Sequence, residues 1–192
     1  MSSRASLKTE LRKRLRERRR QLSAQQQQLA AQGAVVQLAH LPDLSAATHI
    51  GLYYAVDGEV DTAPLARWAR DNGKTPYLPV VEGELLRFAQ WRGDDELTAN
   101  LFGIGEPPAD VERVDARTLD ILCLPLVGWN RKGVRLGMGG GYDDRTLEQP
   151  PRPLTVGLAH SCQEIEALSQ DSWDITLDWV MTESERVRCP KG

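Results

Sequence analysis

The sequence predicts a three-layer α/β/α protein, in which helices cover both faces of a largely parallel central sheet and a basic helix begins the chain. Segments rich in β-branched and aromatic residues alternate with amphipathic segments, as they do in strand–helix–strand units. The apolar run from Asp120 to Val127 has the composition of a strand buried on both faces. The 192 residues show no linker and no internal repeat, so we expect one domain spanning residues 1–192.

The individual elements follow from local patterns. Leucines at helical spacing from about Leu7 to Leu38, with Arg and Gln on the other faces, predict one long helix or two. A further helix should begin after Thr62 as its N-cap and end at Asn72-Gly73. Strands are predicted over Thr48–Val56, Thr75–Val81, Leu85–Trp91, Asp120–Val127, Thr155–Ala159 and Asp178–Thr182.

Charge is unevenly distributed along the chain. The net charge is −3, but residues 1–20 hold nine basic residues against two acidic ones, a balance of +7 that leaves −10 for the other 172 residues. A basic segment on an acidic body suits a nucleic acid, an anionic membrane or a small phosphorylated ligand. Leucines are interleaved with these basic residues and no aromatic platform accompanies them, which favours packing onto the domain over binding nucleic acid.

Composition excludes several classes of protein. No run approaches the roughly 20 apolar residues that a bilayer crossing needs, and the N-terminus lacks the apolar core of a secretory signal. We therefore expect a cytoplasmic monomer that binds neither membrane nor nucleic acid, although the Arg-rich N-terminus leaves organelle targeting open. Neither a disulfide framework nor metal-ligand spacing is found among the cysteines and histidines, Cys123, Cys162, Cys189, His40, His49 and His160.

The segment Gly128–Arg145 (GWNRKGVRLGMGGGYDDR) follows the predicted buried strand, where open α/β sheets bind ligands. Its glycines, Gly137 and Gly139 to Gly141, allow backbone N–H groups to converge on an anion such as a phosphate chain. A helix beginning near Tyr142 and the charge of Arg135 would assist. The spacing matches neither a P-loop nor a dinucleotide-binding turn, so a glycine-rich surface turn without a ligand is the alternative.

Carboxylates near this segment are candidates for Mg²⁺, which reaches proteins with ATP and binds one or two carboxylates. Asp143 and Asp144 are adjacent to the glycines, while Asp174 and Asp178 are more distant in the sequence. Residues at a helix N-terminus are the alternative interpretation of the adjacent pair. Glu59 follows another predicted strand, so it is a candidate to receive a polar group of a substrate, with a solvated turn as the alternative.

The run Pro125-Leu126-Val127, followed by Gly133–Tyr142 (GVRLGMGGGY) and Asp144, resembles the signature of the 5-formyltetrahydrofolate cyclo-ligase family, also called methenyltetrahydrofolate synthetase. Four further blocks in the same chain order support the resemblance. They are Lys8-Thr9-Glu10-Leu11-Arg12, Asp57-Gly58-Glu59, Gly103-Ile104-Gly105-Glu106-Pro107 and Val156-Gly157-Leu158-Ala159-His160.

The resemblance implies a three-layer α/β fold and the reaction of ATP with 5-formyltetrahydrofolate to give ADP, phosphate and 5,10-methenyltetrahydrofolate. The formyl oxygen attacks the γ-phosphorus, N10 closes on the activated carbon, and phosphate leaves. Every step needs charge stabilisation and positioning more than a protein nucleophile. This requirement agrees with the absence of any arrangement of Ser, His and Asp, or of Cys and His, in the sequence.

The same resemblance assigns roles to residues of this chain. Arg135, Tyr142 and Glu59 would be catalytic. Separately, the four-residue spacing of Lys8 and Arg12 places them on one helical face toward the phosphates, and we expect Arg18 to Arg20 to stay in solvent. Asp144 and Asp174 would bind Mg²⁺. The folate would contact Tyr54, Glu59, Met138 and Tyr142. ATP would be bound by Lys8, Arg12, Arg135, Gly137, Met138, Gly139, Gly140, Gly141, Tyr142 and Asp143.

Three positions depart from the family pattern. Asp143 replaces a second aromatic residue after the glycines, Gly140 stands where some members have Lys, and Val56 stands where Met or an aromatic residue is frequent. The carboxylate at position 143 indicates an alternative function, a non-catalytic paralogue that binds a nucleotide or a folate. A nucleic-acid-binding module that uses residues 4–20 is a third hypothesis.

Overall fold

The computed structural model describes residues 3–191. Its four α-helices are α1 (Arg4–Arg20), α2 (Ala24–Ala39), α3 (Ala63–Asp71) and α4 (Tyr142–Thr146). The long helical pattern near the N-terminus therefore forms two helices, which is one of the two predicted outcomes. The break lies at Ser23, whose side chain accepts from the backbone of Gln26 while the Gln26 side chain accepts from the backbone of Ser23.

Twelve strands complete the structure, eight of them in one sheet. In chain order they are β1 (His49–Gly51), β2 (Thr75–Glu82), β3 (Leu85–Gln90), β4 (Thr98–Ala99), β5 (Gly105–Glu106), β6 (Arg113–Val114), β7 (Ile121–Pro125), β8 (Gly128–Trp129), β9 (Arg135–Leu136), β10 (Leu154–Leu158), β11 (Trp179–Met181) and β12 (Arg186–Arg188). The main sheet has the order β12-β11-β10-β7-β1-β2-β3-β6, and β4-β5 and β8-β9 are separate two-stranded ribbons.

The predicted parallel sheet is confirmed for its centre. The strands β11, β10, β7, β1 and β2 run parallel to one another, whereas β12, β3 and β6 are antiparallel additions at the two edges. The central strand β7 pairs with β1 on one side and with β10 on the other, as the apolar run predicted. The carboxyl ends of β1, β7 and β10 consequently lie along the same edge.

Side chains of successive β7 residues point to opposite faces and enter two hydrophobic clusters. Ile121 and Cys123 belong to the cluster beneath α2 and α3, together with Ile50 and Leu65. Leu122 and Leu124 belong to the cluster on the other face, which α4, a 3₁₀ turn and long loops cover. The predicted three layers are therefore present, and one of them is only partly helical. A third, small cluster holds Leu15, Val127 and Leu136 beneath α1.

The first predicted strand is shorter than expected. Instead of extending from Thr48 to Val56, β1 ends at Gly51 and the chain leaves the sheet soon after. The Tyr53 hydroxyl donates to the carbonyl of Val60, and the Thr62 hydroxyl donates to the carbonyl of Tyr53. These hydrogen bonds satisfy buried polar groups of the loop without strand pairing. A buried loop of this kind has the same β-branched and aromatic composition as a strand, so composition alone did not distinguish the two. Thr62 does occupy the N-cap position of α3, but its hydroxyl does not cap that helix.

Two further observations concern the described residues 3–191. None of their helices is both long enough and apolar enough to cross a membrane. The three cysteines are all unpaired, as the sequence predicted.

Candidate active site

Three loops meet at the carboxyl edge of the parallel strands, and α1 contacts all of them. They are the 52–62 loop after β1, the 126–142 segment after β7 and the 159–163 turn after β10. Within α1, Arg12 binds the second of these segments, Arg16 the first, and Arg18 the carbonyl of Cys162 in the third. The basic N-terminal helix is thus part of the wall of the site.

The glycine-rich loop joins β9 to α4 and uses conformations that favour glycine. Gly139 has φ +99° and Gly141, the N-cap of α4, has φ +72°. Two arginines bind its carbonyl groups: Arg12 Nε donates to Gly137 at 2.7 Å and Arg145 Nη1 donates to Gly140 at 2.9 Å. Within residues 3–191, the backbone N–H groups of 138–141 donate to no protein acceptor. The backbone N–H groups of 138–141 are therefore free to bind an anion, which stays a prediction.

The two other predicted cations, Lys8 and Arg135, both line a cavity next to α1. Lys8 Nζ is 2.6 Å from Asp171 Oδ2 and 3.8 Å from Asp174 Oδ2. Arg135 is 6% exposed, and its Nη2 donates to Asp144 Oδ1 at 2.6 Å. The buried Nε of Arg135 has no hydrogen-bond partner among the described residues. Each cation is therefore neutralised by a carboxylate, and Arg135 retains a donor for a further acceptor.

The two predicted metal ligands lie near each other. Asp144 Oδ1 accepts from the backbone N–H of Ile175, the residue that follows Asp174. Asp174 Oδ2 accepts from the backbone N–H of Asp171 at 2.8 Å. Within residues 3–191 there is no group of three or more His, Cys, Asp or Glu arranged for a metal ion. Two carboxylates nevertheless fit Mg²⁺ that arrives with phosphate oxygens and keeps its waters.

Asp178, the more distant metal candidate, is not part of the site. Its Oδ2 accepts from the backbone N–H and the hydroxyl of Thr155, at 2.8 Å and 3.1 Å. Thr155 lies in the first half of β10 and Asp178 directly precedes β11, which places both residues at the opposite, amino edge of the sheet. Because Asp178 precedes β11 and the site lies at the carboxyl ends of the parallel strands, the length of a strand separates Asp178 from the site.

Asp57 is the most heavily engaged carboxylate in the loop after β1. Arg16 Nε and Arg19 Nη2 donate to Oδ2 at 2.7 Å and 3.2 Å, and Arg20 Nε donates to Oδ1 at 2.7 Å. Partial burial by itself would raise the pKa of Asp57, but the hydrogen bonds from Arg20 and Arg16 outweigh that effect and lower it to about 2. The expectation that Arg18 to Arg20 stay in solvent is wrong for Arg19, which is 1% exposed.

Glu59 follows in the same loop and is partly buried. Its Oε2 accepts from the backbone N–H of Val56 at 3.0 Å. Burial raises the pKa of Glu59, and the negative charge of Asp143 raises it further. A cleft of about 360 Å³ beside this loop is lined by Glu59, Tyr54 and Trp91, among others. The structure thus places two of the predicted folate-binding residues on one cleft.

Aromatic and apolar groups are exposed beside this cleft. Tyr142 packs edge-on against Phe102, with ring centroids 6.4 Å apart, and the guanidinium of Arg145 lies 4.9 Å from the Tyr142 ring. Phe102 is 63% exposed, and Met138 is also exposed. The backbone at Gly105 packs against Tyr54 so closely that a Cβ there would lie 2.9 Å from its ring. The Gly103–Pro107 block therefore packs, through Gly105, against Tyr54, one of the predicted folate-binding residues.

Asp143 lies in the first turn of α4, directly after the glycine-rich loop. Burial raises its pKa, the charge of Arg135 lowers it, and the charge of Asp144 raises it again. Because Asp143 also raises the pKa of Glu59, the two carboxylates are close enough to interact electrostatically. The residue that departs from the family pattern therefore lies within electrostatic range of Glu59, Arg135 and Asp144.

A second cavity of about 360 Å³ lies between α1 and the 167–169 segment. Lys8 and Arg135 line it together with the leucines Leu7, Leu11 and Leu168. It combines an apolar wall with two cations, which suits a flat aromatic group attached to phosphates. The sequence did not indicate the 167–169 segment as part of a site.

Sequence reasoning also missed residues that support the loops. His160, interpreted as an ordinary core or surface histidine, is buried with Nε2 3.0 Å from the carbonyl oxygen of Gly58. Because a carbonyl oxygen can only accept, Nε2 is the donor, and burial lowers the pKa of His160. Gln27 donates to the same carbonyl at 3.0 Å. The block Val156–His160 resembles the family pattern, which could have drawn attention to His160. Nothing in the sequence indicated that His160 contacts Gly58.

Taken together, the fold and the site define a three-layer α/β protein with a glycine-rich loop and converging basic side chains at the carboxyl edge of its parallel sheet. The model of the 5-formyltetrahydrofolate cyclo-ligase family matches residues 4–183. The chain belongs to this family of enzymes, so the family, the fold class and the enzyme class predicted from the sequence are confirmed.

Individual relatives agree over nearly their whole length. The 5-formyltetrahydrofolate cyclo-ligase of Escherichia coli is 40% identical over 178 residues, which cover 89% of this chain and 97% of the relative. That of Haemophilus influenzae is 39% identical, covering 91% and 94%. The solved structure of Aquifex aeolicus 5,10-methenyltetrahydrofolate synthetase matches with a TM-score of 0.84 at 35% identity, covering 97% of this chain and 94% of that one.

Proposed function

We propose that this protein converts 5-formyltetrahydrofolate to 5,10-methenyltetrahydrofolate with ATP and Mg²⁺, releasing ADP and phosphate. The observation that carries the proposal is the position of the glycine-rich loop. Among the described residues the N–H groups of 138–141 have no protein acceptor. Arg12 of α1 binds the loop at Gly137, and Asp143, just after the loop, interacts electrostatically with Glu59. The reaction joins a phosphate donor to a folate, so it needs two adjoining subsites of this kind.

ATP is assigned to the glycine-rich loop and the cavity beneath α1. The N–H groups of 138–141 and the side chains of Lys8, Arg12 and Arg135 would bind the phosphates, because fixed donors and charges stabilise the negative charge of a transferring phosphoryl group. The leucine-lined wall would receive the base. Asp144 and Asp174 would hold Mg²⁺, whose charge shields the phosphates when it is bound.

The folate is assigned to the cleft beside Glu59. Tyr142, Met138 and Tyr54 present exposed surface on which a pterin can pack. The Glu59 carboxylate would accept hydrogen bonds from N–H groups of the ring, which orients the formyl oxygen toward the γ-phosphorus. As the oxygen–phosphorus bond forms, the bond from the γ-phosphorus to ADP breaks and ADP leaves. N10 then bonds to the formyl carbon and loses its proton, and the carbon–oxygen bond breaks to release phosphate. The protein supplies position and charge, and no covalent intermediate with a side chain is needed.

The whole reaction can be tested in one assay. Purified protein mixed with ATP, Mg²⁺ and 5-formyltetrahydrofolate should give the absorbance of the methenyl product, and omission of ATP should abolish it. Glu59→Gln should reduce the rate at low folate concentration, whereas Asp43→Asn, an exposed change in the turn before β1, should not. Wild-type protein that binds ATP and forms no methenyl product would contradict the proposal.

Asp143 favours one second candidate, a non-catalytic protein that binds a nucleotide or a folate. A partly buried carboxylate near Glu59 and the glycine-rich loop weakens a site for phosphates. Direct binding of ATP and of 5-formyltetrahydrofolate, in the absence of turnover, would support this candidate. The contacts of α1 do not favour the nucleic-acid hypothesis, because Arg16, Arg19 and Arg20 are all engaged by Asp57.

We further propose that the protein is a single-domain monomer in the cytoplasm that binds neither nucleic acid nor a membrane. Phosphate-backbone binding falls steeply with salt, so measurements at two salt concentrations would detect an interaction with nucleic acid.

A further inference from the structure

The side chain of Arg19 is buried within the protein although it lies on the most basic helix of the chain. It is 1% exposed, whereas its neighbours Arg18 and Arg20 remain at the surface. A buried guanidinium is unfavourable unless its donors are satisfied by well-placed acceptors. The acceptors of Arg19 therefore show what this charge does in the fold.

Arg19 donates three hydrogen bonds to two segments that are far apart in the sequence. Nε donates to the carbonyl of Asp57 at 2.8 Å, and Nη2 donates to the Asp57 carboxylate at 3.2 Å. Nη1 donates to the carbonyl of Leu126 at 3.1 Å. Arg16 and Arg20 also bind Asp57, but within the described chain neither reaches Leu126. Arg19 is thus the bridge between these two segments.

The two bridged segments lead into the two halves of the proposed site. Asp57 is two residues before Glu59, and its backbone has φ +53°, a left-handed conformation that is costly for a residue other than glycine. Leu126 lies at the end of β7 and leads through the β8-β9 ribbon to Arg135 and the glycine-rich loop. One guanidinium group therefore fixes the distance between the start of the folate loop and the start of the nucleotide segment.

The geometry of the guanidinium explains why an arginine is needed here. Its planar fork donates in several directions at once, whereas an ammonium group on a lysine stem is a single point of charge. A lysine at this position would reach Asp57 or Leu126, but not both. The loop also packs on the stem of Arg19, since a Cβ at Gly58 would lie 3.4 Å from Arg19 Cγ.

We propose that Arg19 is a positioning residue that holds Glu59 at a fixed distance from the glycine-rich loop, and thereby sets the affinity of the folate site without touching a substrate. The proposal rests on the proposed function for the identity of the two ligands. It predicts that the two halves of the site respond differently. Lys8 and Arg12 lie up to three helical turns from Arg19 on the same helix, so the nucleotide half keeps its own contacts.

The protein should tolerate the loss of this bridge. The Leu126 carbonyl also accepts from Gln163 Nε2 at 2.6 Å, and the Asp57 carboxylate keeps Arg16 and Arg20. The Gly58 carbonyl keeps its contacts to Gln27 and His160. Removal of Arg19 therefore loosens the connection between the loops and leaves each of them anchored.

The test compares Arg19→Lys and Arg19→Met with Arg14→Met, a matched change on the exposed face of α1. Within residues 3–191, the Arg14 side chain makes no ion pair or hydrogen bond, so Arg14→Met should behave as wild type. For each protein, KM for 5-formyltetrahydrofolate, KM for ATP and kcat are measured. Binding of 5-formyltetrahydrofolate and of ATP is measured separately by calorimetry, with the melting temperature as a control for folding.

Both Arg19 variants should raise KM and the dissociation constant for 5-formyltetrahydrofolate about tenfold, roughly the effect of losing one charged hydrogen bond. The dissociation constant for ATP should change less than about threefold. A general loss of stability would instead weaken the binding of both ligands to the same degree. Equal weakening of the two ligands, or unchanged folate binding in Arg19→Lys, would overturn the proposal. If Arg19→Met does not fold, Arg19→Lys decides, because it keeps the charge and most of the buried stem.

The two levels of inference remain distinguishable. Wild-type protein that forms no methenyl product contradicts the proposed function, and the calorimetric comparison of Arg19→Lys with wild type then still tests the positioning role. Active wild-type protein with folate binding that is independent of Arg19 contradicts the positioning role alone.

Discussion

Arg12 Nε lies 2.7 Å from the carbonyl oxygen of Gly137, a residue 125 positions further along the chain. This hydrogen bond joins α1 to the glycine-rich loop and, together with the bond from Arg145 to Gly140, engages carbonyl groups of the loop. The N–H groups at 138–141 remain as donors. These contacts fix the loop without a ligand, and a loop fixed in this way would bind an anion at a smaller cost in entropy.

The conformation of Gly139 provides the first prediction. A side chain at φ +99° is strained, and its Cβ would lie 3.4 Å from the guanidinium of Arg12. A left-handed residue costs about 1–2 kcal/mol, so Gly139→Ala should weaken ATP binding roughly tenfold, as measured by calorimetry. The control is Gly73→Ala. Gly73 lies after α3, has φ +72°, and an added Cβ there would meet no atom within 4 Å. Equal ATP affinity in both variants would show that the loop does not bind the phosphates.

The second prediction separates directed from diffuse charge on α1. Lys8→Ala combined with Arg12→Ala should raise the KM for ATP about a hundredfold, because each charged hydrogen bond to a phosphate is worth roughly 1.5–3 kcal/mol. Lys13→Ala combined with Arg14→Ala removes the same charge from the exposed face and should change KM less than threefold. If both pairs have the same effect, the helix acts only through its overall field.

The third prediction concerns the carboxylate of Asp143. Two negative charges about 4 Å apart cost on the order of 4 kcal/mol at an effective dielectric near 20, and Mg²⁺ can offset this repulsion. Asp143→Tyr should therefore increase kcat/KM for 5-formyltetrahydrofolate and lower the Mg²⁺ concentration needed for half-maximal rate. Asp143→Asn removes only the charge, so a gain shared by both variants identifies repulsion and a gain restricted to Asp143→Tyr identifies pterin packing. Lower activity in both would make Asp143 a functional residue.

The fourth prediction concerns acid stability. Because the folded-state pKa of Asp57 is lowered from 3.8 to about 2, its ion pairs stabilise the protein fully above pH 4 and lose their effect as the pH falls from about 4 to 2. Asp57→Asn should lower the unfolding free energy at pH 7 by on the order of 1 kcal/mol, since solvent screens the exposed partners. The difference from wild type should disappear near pH 2 in denaturant titrations. A constant difference across that range would exclude the ionic contribution.

Much of the fold followed from patterns within a few residues of each other. The apolar run around β7 predicted a central strand, and the leucine spacing from about Leu7 to Leu38 predicted one long helix or two. The spacing of Lys8 and Arg12 indicated one helical face, and the structure places both beside the proposed nucleotide site. These features depend on backbone preferences and hydrophobic periodicity, which act locally and are therefore visible in a sequence.

Other features depended on which distant segments meet. Residues 18, 19 and 20 are all arginine, and the sequence does not distinguish them. Only Arg19 is buried, because the carbonyl groups of Asp57 and Leu126 accept its hydrogen bonds. In the same way, Asp178 lies at the amino edge of the sheet and Asp174 beside the proposed site.

The sequence alone therefore determined the types of element, the parallel sheet, the glycine-rich loop and the family of this protein. Only the tertiary structure decided which charges are buried, which carboxylate pairs with which cation, and how the Glu59 loop is tied to the rest of the site. The physical reason is that the cost of burying a charge depends on acceptors supplied from elsewhere in the chain, here from residues 38 and 107 positions away from Arg19.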